Sequence, residues 1–455
     1  MNRPGDWIPR PVLEVMEQLE RKGFRAWVVG GSLRDLLRGK PPHDFDLASN
    51  APPQKLAELL PDARVVETGL RFGTVTVLYG GMSIEITRLR VEGDYRDGRR
   101  PNAVSPTEEI AEDLARRDFT INAMAWRPGE EICDPFGGRQ DLKSGLLRAV
   151  GRPRQRFEED ALRILRGMRF ASQMGYRIEG ETAAAIHETK GLLKQISAER
   201  ICEEIWRMIL GEHPVAVMTE FADVVAEALP ELAPMMGFPQ HSLYHIYDVW
   251  GHTLRVIAGA PQEPVTRMAA LLHDCGKPQM LTMDRFGHGH FKGHAPRGAL
   301  LADEICRRLK MSRRRREQVV QLVRWHDEDI PPSDAQVRRW LGFLGEEQMR
   351  RFLDLQEADS RAKSARSDTQ FAEDLRRRME QALARKDCCR IDQLNITGRE
   401  LMALGIPQKE IGRAKQALLE QALEDPARNS PPALRENALA WWRRQTGQPG
   451  AAVIF

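Results

Sequence analysis

The period of the hydrophobic pattern changes once along this chain, near residue 150, and that change limits what the chain can fold into. Before it, short apolar and β-branched runs are punctuated by Gly, Pro and Asp. Residues 73–79 (Gly-Thr-Val-Thr-Val-Leu-Tyr) alternate, Gly80-Gly81 marks a turn, and 83–87 return, which reads as a hairpin. From Arg154 onward apolar residues recur at helical spacing, over 158–174, 181–188 and 197–210, and this texture continues almost to the end. The pattern predicts a small α/β head with a mixed sheet, ending near residue 150, on a long helical body. A length of 455 residues also calls for several domains.

Within the head, 9–23 reads as an amphipathic helix and 24–29 as a strand. Gly30-Gly31 then turns the chain into a short helix over 32–38. A second strand over 44–48 carries Asp44 and Asp46, and residues two apart on a strand face one way. Two carboxylates beside a turn with free backbone N–H groups are what a metal-bound triphosphate needs. The polar stretch 88–106 is longer than most loops, which marks it as disordered or functional. Helices are predicted over 107–116 and 118–124, and a short strand over 132–134.

Composition excludes some classes and leaves others open. Apolar content of 42% and charged content of 29% suit a soluble globular chain. A net charge of +3 permits nucleic-acid binding without demanding it, so any electrostatic footprint must be local. The first residues lack the apolar region of a signal peptide, and no run approaches the roughly 18 apolar residues of a spanning helix, so no membrane partner is expected. Six cysteines, scattered apart from Cys388-Cys389, show neither zinc spacing nor a disulfide framework. Reduced thiols and a cytoplasmic location follow.

Gly30-Gly31 with Asp44 and Asp46, in strand–turn–helix–strand context, resembles the nucleotidyltransferase superfamily with a polymerase-β-like palm. More closely it resembles the class II tRNA nucleotidyltransferases and bacterial poly(A) polymerases. The resemblance implies that Asp44 and Asp46 hold Mg²⁺, with Glu85 on the returning strand as the third carboxylate. It implies that Gly30, Gly31 and Ser32 cradle phosphate oxygens by backbone and hydroxyl donors, that Arg34 adds positive charge, and that Asp35 braces the turn. Residues 116–124 (Arg-Arg-Asp-Phe-Thr-Ile-Asn-Ala-Met) resemble a second family segment, with Arg117 as a phosphate contact and Asp118 and Asn122 as supports of the nucleotide pocket. Asp134-Pro135-Phe136-Gly137-Gly138 resembles the turn that joins head to neck.

Glu159-Asp160-Ala161-Leu162-Arg163 resembles the segment with which the family selects bases. Asp160 and Arg163 lie three apart, on one face of the predicted helix. From spacing alone this is an intrahelical ion pair on a solvated surface. As an edge, however, a carboxylate accepts and a guanidinium donates. Cytosine and adenine each present an amino donor beside a ring-nitrogen acceptor, which matches; uracil and guanine present the reverse and are rejected. Ser197 to Ile205 resembles the last head-and-neck motif and reads as support for this helix.

His252, the doublet His273-Asp274 and Asp359 follow the order of the HD phosphohydrolase superfamily. The resemblance implies a divalent metal held by those four, with His294 and His326 as auxiliary ligands; imidazole with carboxylate suits a borderline transition metal without excluding Mg²⁺. The run Arg313 to Arg316 reads as a solvated face, and residues 394–412 resemble the tail module that cradles tRNA by shape and phosphate contacts. The expected divisions are therefore head 1–150, neck 151–215, HD domain 216–365 and tail 366–455.

The expected activity is CCA addition to tRNA from CTP and ATP, with no DNA partner, and with phosphohydrolase activity at the HD site. Residues 67–75 carry the Gly-x-Arg-Phe-Gly-Thr-Val form of the tRNA enzymes rather than the basic form of poly(A) polymerases. An enzyme adding only CC or only A, a poly(A) polymerase, and an HD hydrolase with a regulatory head are the alternatives.

Overall fold

The structure, a computed structural model, describes residues 7–42, 44–67, 69–70, 73–93, 104–241, 246–363 and 370–446. Arg71 and Phe72 of the tRNA-type segment, and 94–103 of the long polar stretch, lie outside them. The chain divides into two compact units, Met1–Ala233 with Arg308–Lys310 and Pro234–Arg307 with Met311–Phe455.

The first unit opens with α1 (Arg10–Arg21), which buries Val12, Val15, Met16 and Leu19, one stripe of a 3.6-residue period. Then come β1 (Ala26–Val29), α2 (Gly30–Leu37), β2 (Phe45–Ser49), α3 (Leu56–Leu59), β3 (Arg64–Val66), β4 (Thr74–Tyr79) and β5 (Met82–Arg88). The stretch expected to be an open loop contains two paired strands, β6 (Arg90–Glu92) and β7 (Val104–Pro106). Next are α4 (Ile110–Ala115), β8 (Ala125–Trp126) and α5 (Gly138–Ser144).

The main sheet has the order β3-β4-β5-β2-β1-β8. Only β2 and β5 run parallel; the other neighbours are antiparallel. Side chains alternate between its faces. Val28, Leu47, Val75, Val77, Ile84 and Ile86 join α1 in one core, whereas Trp27, Val29, Ala48 and Ala125 pack with Leu89, Leu114 and Val150. The parallel register sets Asp46 opposite Glu85. Since Phe45, Leu47, Ile84 and Ile86 take the first face, Asp46 and Glu85 fall together on the other.

Two local expectations fail for the same reason. The predicted helix over 118–124 is a single 3-10 turn at Thr120–Asn122, and the predicted strand over 132–134 is one bridge from Cys133 to Ala125. Side-chain bonds replace backbone ladders at both places. Asp118 accepts from the Phe119 amide at 2.8 Å, and Asp134 accepts from the amides of Gly138 and Arg139 at 2.7 and 2.9 Å, capping α5.

The rest of the first unit is helical. It comprises α6 (Pro153–Glu159), α7 (Leu162–Met174), α8 (Gly180–Thr189) and α9 (Ala198–Ile209), with α7 against α9 and α6 against α8. The expected continuous helix over 158–174 is broken at Asp160, which is extended (φ −142°, ψ 101°). Its carboxylate accepts from the Leu162 amide at 3.1 Å, a local bond that competes with helix continuation.

In the second unit, helix Val249–Gly259 packs against Pro264–Leu272 and Glu346–Lys363, and Arg313–Trp325 packs against Pro264–Leu272. Asp248 and Glu263 cap the first two by accepting from the amides of Gly251 and Thr266, each at 2.7 Å. A separate core of Leu394, Leu401, Leu418 and Leu434 holds the C-terminal helices. Buried Arg338 ties that module on by donating to Leu423 O at 2.7 Å and Glu424 O at 3.1 Å.

Gly138 shows how tightly the Asp118–Asn122 turn is held. A Cβ there would collide with the Thr120 carbonyl and stand 3.0 Å from Met124 Cγ. Gly138→Ala should cost about 1–3 kcal/mol of stability, measured by urea unfolding, because backbone must move to admit the methyl group.

Candidate functional site

Asp46 and Glu85 lie on the wall of a cavity of about 910 Å³. The other contributors are the start of α2, the segment 116–122, and residues from 160 to 207 in the helical part of the same unit. Nine arginines and four carboxylates line it, so the cavity favours a strongly anionic ligand. Asp46 is pushed above the usual carboxylate range by burial first and then by Glu85, with Arg117 opposing and Asp44 adding to the rise. A buried carboxylate whose pKa is raised by neighbouring negative charge favours a bound cation.

Asp44 is close enough for its charge to raise the Asp46 pKa, but it does not stand on the strand as expected. It precedes β2, is exposed, and is not among the residues lining the cavity. Ser32 departs further. Its side chain is buried, its hydroxyl donates to Asp44 O at 3.1 Å, and it accepts from the Asp46 amide at 2.9 Å. The expected phosphate contact is thus spent on fixing the start of β2.

Gly30 and Gly31 form the first turn of α2, where backbone N–H groups lack helical partners. Gly30 has φ +67°, and a Cβ on it would lie 3.0 Å from Arg117 Nη1 and 3.7 Å from Asp46 Oδ2. Glycine lets this turn approach both the basic and the acidic walls.

The arginines are held by acids behind them. Arg34 donates to both oxygens of Asp35 at 2.9 Å and to Asn122 Oδ1 at 2.9 Å. Arg116 and Arg117 share buried Asp113, at 2.7 and 3.1 Å. Asp118 accepts from Arg166 at 2.6 and 2.9 Å and from Asn122 Nδ2 at 3.1 Å. Burial works to raise the Asp118 pKa, but the charge and hydrogen bonds of Arg166 hold it well below the usual range. Arg169, 3.2 Å from Glu204, is lowered to about 10 by burial. The Phe170 ring lies within 5.5 Å of the guanidiniums of Arg34, Arg166 and Arg169.

Asp160 and Arg163 both line the cavity, but they do not share a helical face. Arg163 donates to Glu159 at 2.8 Å, Arg156 O at 3.2 Å and Arg116 O at 2.8 Å. Asp160 pairs instead with Arg200 of α9, at 3.2 Å. Arg166, Arg169, Arg200, Asp113 and Glu204 were not singled out in the sequence. The spacing of Arg163, Arg166 and Arg169, each three apart, is a signal that points to Arg166 and Arg169; no local pattern points to Arg200, Asp113 or Glu204.

In the second unit all six expected HD residues converge. The ligand atoms of His252, His273 and Asp274, and those of Asp274, His294 and His326, lie within 4.8 Å of one another in each trio. His252 Nε2 is 2.9 Å from Asp359 Oδ1. His273, His294 and His326 each place Nδ1 at 2.8–2.9 Å from the backbone carbonyl three residues before, which makes Nδ1 the protonated nitrogen. Their Nε2 lone pairs then face inward, and those of His294 and His326 meet at 3.2 Å. Two lone pairs so close require a shared proton or a cation. The buried Nε2 of His273 also lacks a hydrogen-bond partner. The donor set therefore fits a divalent metal. Lys277 and Lys363 stand 2.7 Å from Asp274 and Asp359. Burial would raise Asp274, but His273 and Lys277 hold it well below the usual range. A cavity of about 320 Å³, lined also by Lys292 and His290, opens onto the cluster.

Comparison with known proteins adds three matches along the chain. Residues 26–148 match the poly A polymerase head domain, 175–236 a probable RNA- and SrmB-binding site of polymerase A, and 243–391 the HD domain. Over 222 residues the chain is 47% identical to a CCA-adding enzyme of Lactobacillus helveticus, covering 49% of this chain and 55% of that one. It is also 47% identical over 197 residues to a CCA-adding enzyme of Enterococcus faecalis, covering 43% and 48%. The chain thus spans about half the length of the curated relatives it matches. Among solved structures it is similar to the Bacillus stearothermophilus CCA-adding enzyme in complex with CTP, at 25% identity and a TM-score of 0.74 over 99% of this chain and 100% of that one. The fold is also that of the Thermotoga maritima CCA-adding enzyme complexed with tRNA, at 20% identity and a TM-score of 0.59 over 96% and 97%.

Asp118 offers a test of the arginine scaffold. Because its pKa is depressed by folding, its stabilisation is present above the unfolded value near pH 4 and is lost only as pH falls through the lower folded value. Asp118→Ala should lower stability by about 2 kcal/mol at pH 7. In chemical denaturation the gap between wild type and variant should stay constant down to about pH 4 and narrow below it.

Proposed function

We propose that this chain, which belongs by its head, RNA-binding and HD segments to the tRNA nucleotidyltransferase and poly(A) polymerase family, adds C, C and A to the 3′ end of tRNA from CTP and ATP without a nucleic-acid template. One observation carries this reading. A single arginine-walled cavity brings the carboxylates Asp46 and Glu85 of the sheet together with Asp160 and Arg163 of the helical part. Chemistry and base selection then occur in one enclosure.

Asp44, Asp46 and Glu85 are the residues that would hold Mg²⁺, and the raised pKa of Asp46 fits that demand. When bound, Mg²⁺ supplies charge neutralisation at the triphosphate and activation of the RNA 3′-hydroxyl. The chain's own groups do the rest. The first amides of α2 and the guanidiniums of Arg34, Arg117 and Arg166 bind and orient the phosphates, and their acidic partners fix them before substrate arrives. Asp160 accepts from the exocyclic amine of C or A. With the base read by side chains, no template strand is needed.

The names of similar proteins support tRNA as acceptor, as does the Gly-x-Arg-Phe-Gly-Thr-Val form of the sequence. Among the described residues no helix is long and apolar enough to cross a membrane. We assign the work to the cytoplasm, where tRNA ends are matured. The HD cluster supports a second activity, metal-dependent phosphate-ester hydrolysis. His252, His273, Asp274 and Asp359 would hold the metal with His294 and His326, and Lys277, Lys292 and Lys363 would receive the phosphate.

Single substitutions separate the two activities. Asp46→Ala should lower nucleotide incorporation by about 10³-fold or more and leave phosphatase activity on a model phosphomonoester unchanged. His273→Ala should do the converse. Loss of both activities in either variant would contradict two independent sites.

A further inference from the structure

The arginine run 313–316, which neither reaction uses, opens helix Arg313–Trp325 of the second unit. Arg314, Gln318, Gln321 and Arg324 recur at helical spacing and form one stripe. That stripe lines an open groove of about 690 Å³, together with Asp303 and Arg307 of helix His294–Arg308. Four arginines and two carboxylates line the groove, and both carboxylates are already matched. Asp303 lies 2.7 Å from Arg307 and 3.2 Å from Arg316, so one acid fixes two guanidiniums. Glu317 lies 2.7 Å from Arg313, which does not line the groove. Arg314 and Arg324 are exposed and have no ion pair among the described residues. In a chain with a net charge of only +3 this is a concentrated basic strip. From Arg314 to Arg324 the helix advances about 15 Å, the span of about four stacked nucleotides.

An aromatic platform adjoins the strip. Trp325 lines the groove, and its ring meets those of Trp340 and Phe343 edge-on, at centroid distances of 5.6 and 5.7 Å. Trp340 stacks at 5.6 Å on the buried ring of Phe352, which anchors the group. Phe343 is 56% exposed, so an aromatic ring braced by two tryptophans is left to solvent. The Arg324 guanidinium lies 5.5 Å over the Trp325 ring and joins the basic part to the aromatic one.

We propose that this groove is a second RNA-binding surface, in which Arg314 and Arg324 pair with successive phosphates of one strand and Phe343 stacks an unpaired base. Guanidiniums in a row with an exposed ring at one end meet the two demands of an RNA strand, charge along the backbone and flat faces on its bases. RNA is the occupant because another segment of the same chain, 175–236, matches an RNA-binding site. The proposal goes beyond the transfer reading, since none of these residues lines the transfer cavity or the HD cavity.

Binding of the full chain to tRNA that ends at the discriminator base, followed by fluorescence anisotropy over a range of salt concentrations, tests the surface. Arg314→Glu combined with Arg324→Glu should weaken binding about 10-fold or more and make the slope of log affinity against log salt shallower by about 1.4, the signature of two lost phosphate contacts. Phe343→Leu keeps apolar bulk but lacks a stacking face, and should weaken binding about 5-fold with the slope unchanged. Arg10→Glu combined with Arg21→Glu, on exposed positions of α1, makes the same change of net charge and should leave affinity within about 2-fold. Unfolding is followed in parallel; the substituted side chains are exposed, and the Leu variant preserves the packing against the tryptophans. Unchanged affinity in the Arg314/Arg324 or Phe343 variant, or an equal loss in the α1 control, would overturn the proposal. So would unchanged tRNA affinity with lost binding to vesicles of anionic phospholipid, which would mark a membrane-facing surface instead.

Discussion

The candidate transfer site depends on one buried carboxylate. Asp118 receives Arg166 from α7 and Asn122 from its own turn, and Asn122 in turn receives Arg34 from α2. This chain of bonds links the glycine turn, the Arg116–Asn122 segment and the neck helix. Acids behind Arg34, Arg117 and Arg166 fix these guanidiniums in place, and arginines still outnumber carboxylates on the cavity wall, so a basic wall exists before any anion binds. Like charges that would otherwise repel are thereby held in place, and side-chain entropy is lost during folding instead of during binding.

The HD cluster follows a different rule. There the donors are imidazoles fixed by backbone carbonyls, with their Nε2 atoms directed inward toward Asp274 and each other. The transfer site is built for an anion carrying its own cation, and the HD site for a cation held by the protein. The two chemistries lie in separate compact units of one chain, each with its own cavity.

Much of this was legible in the residues. Alternation in 73–87 gave β4 and β5, and the two-residue periodicity put Asp46 on an open face, whereas Glu85 as its partner came from the family resemblance and not from spacing. That Glu85 stands beside Asp46 depends on a parallel register between strands separated by other elements, which spacing cannot reveal. The order of His252, His273, Asp274, His294, His326 and Asp359 did anticipate their convergence. Failures came where side chains compete with backbone. Asp160 ends a helix that apolar periodicity would continue, and Ser32 spends its hydroxyl on β2. Periodicity counts faces, whereas a short polar side chain closing a local bond changes which face exists. The Asp160–Arg200 pair, forty residues apart, leaves no local trace at all.

Selection of bases by protein side chains alone is the central claim, and it is tested by incubating the chain with tRNA that ends at the discriminator base, with CTP and ATP separately and together. The account predicts two C with CTP alone, and a third residue, A, then a stop when both are present. A long A tail with ATP, or equal use of UTP or GTP, would contradict it.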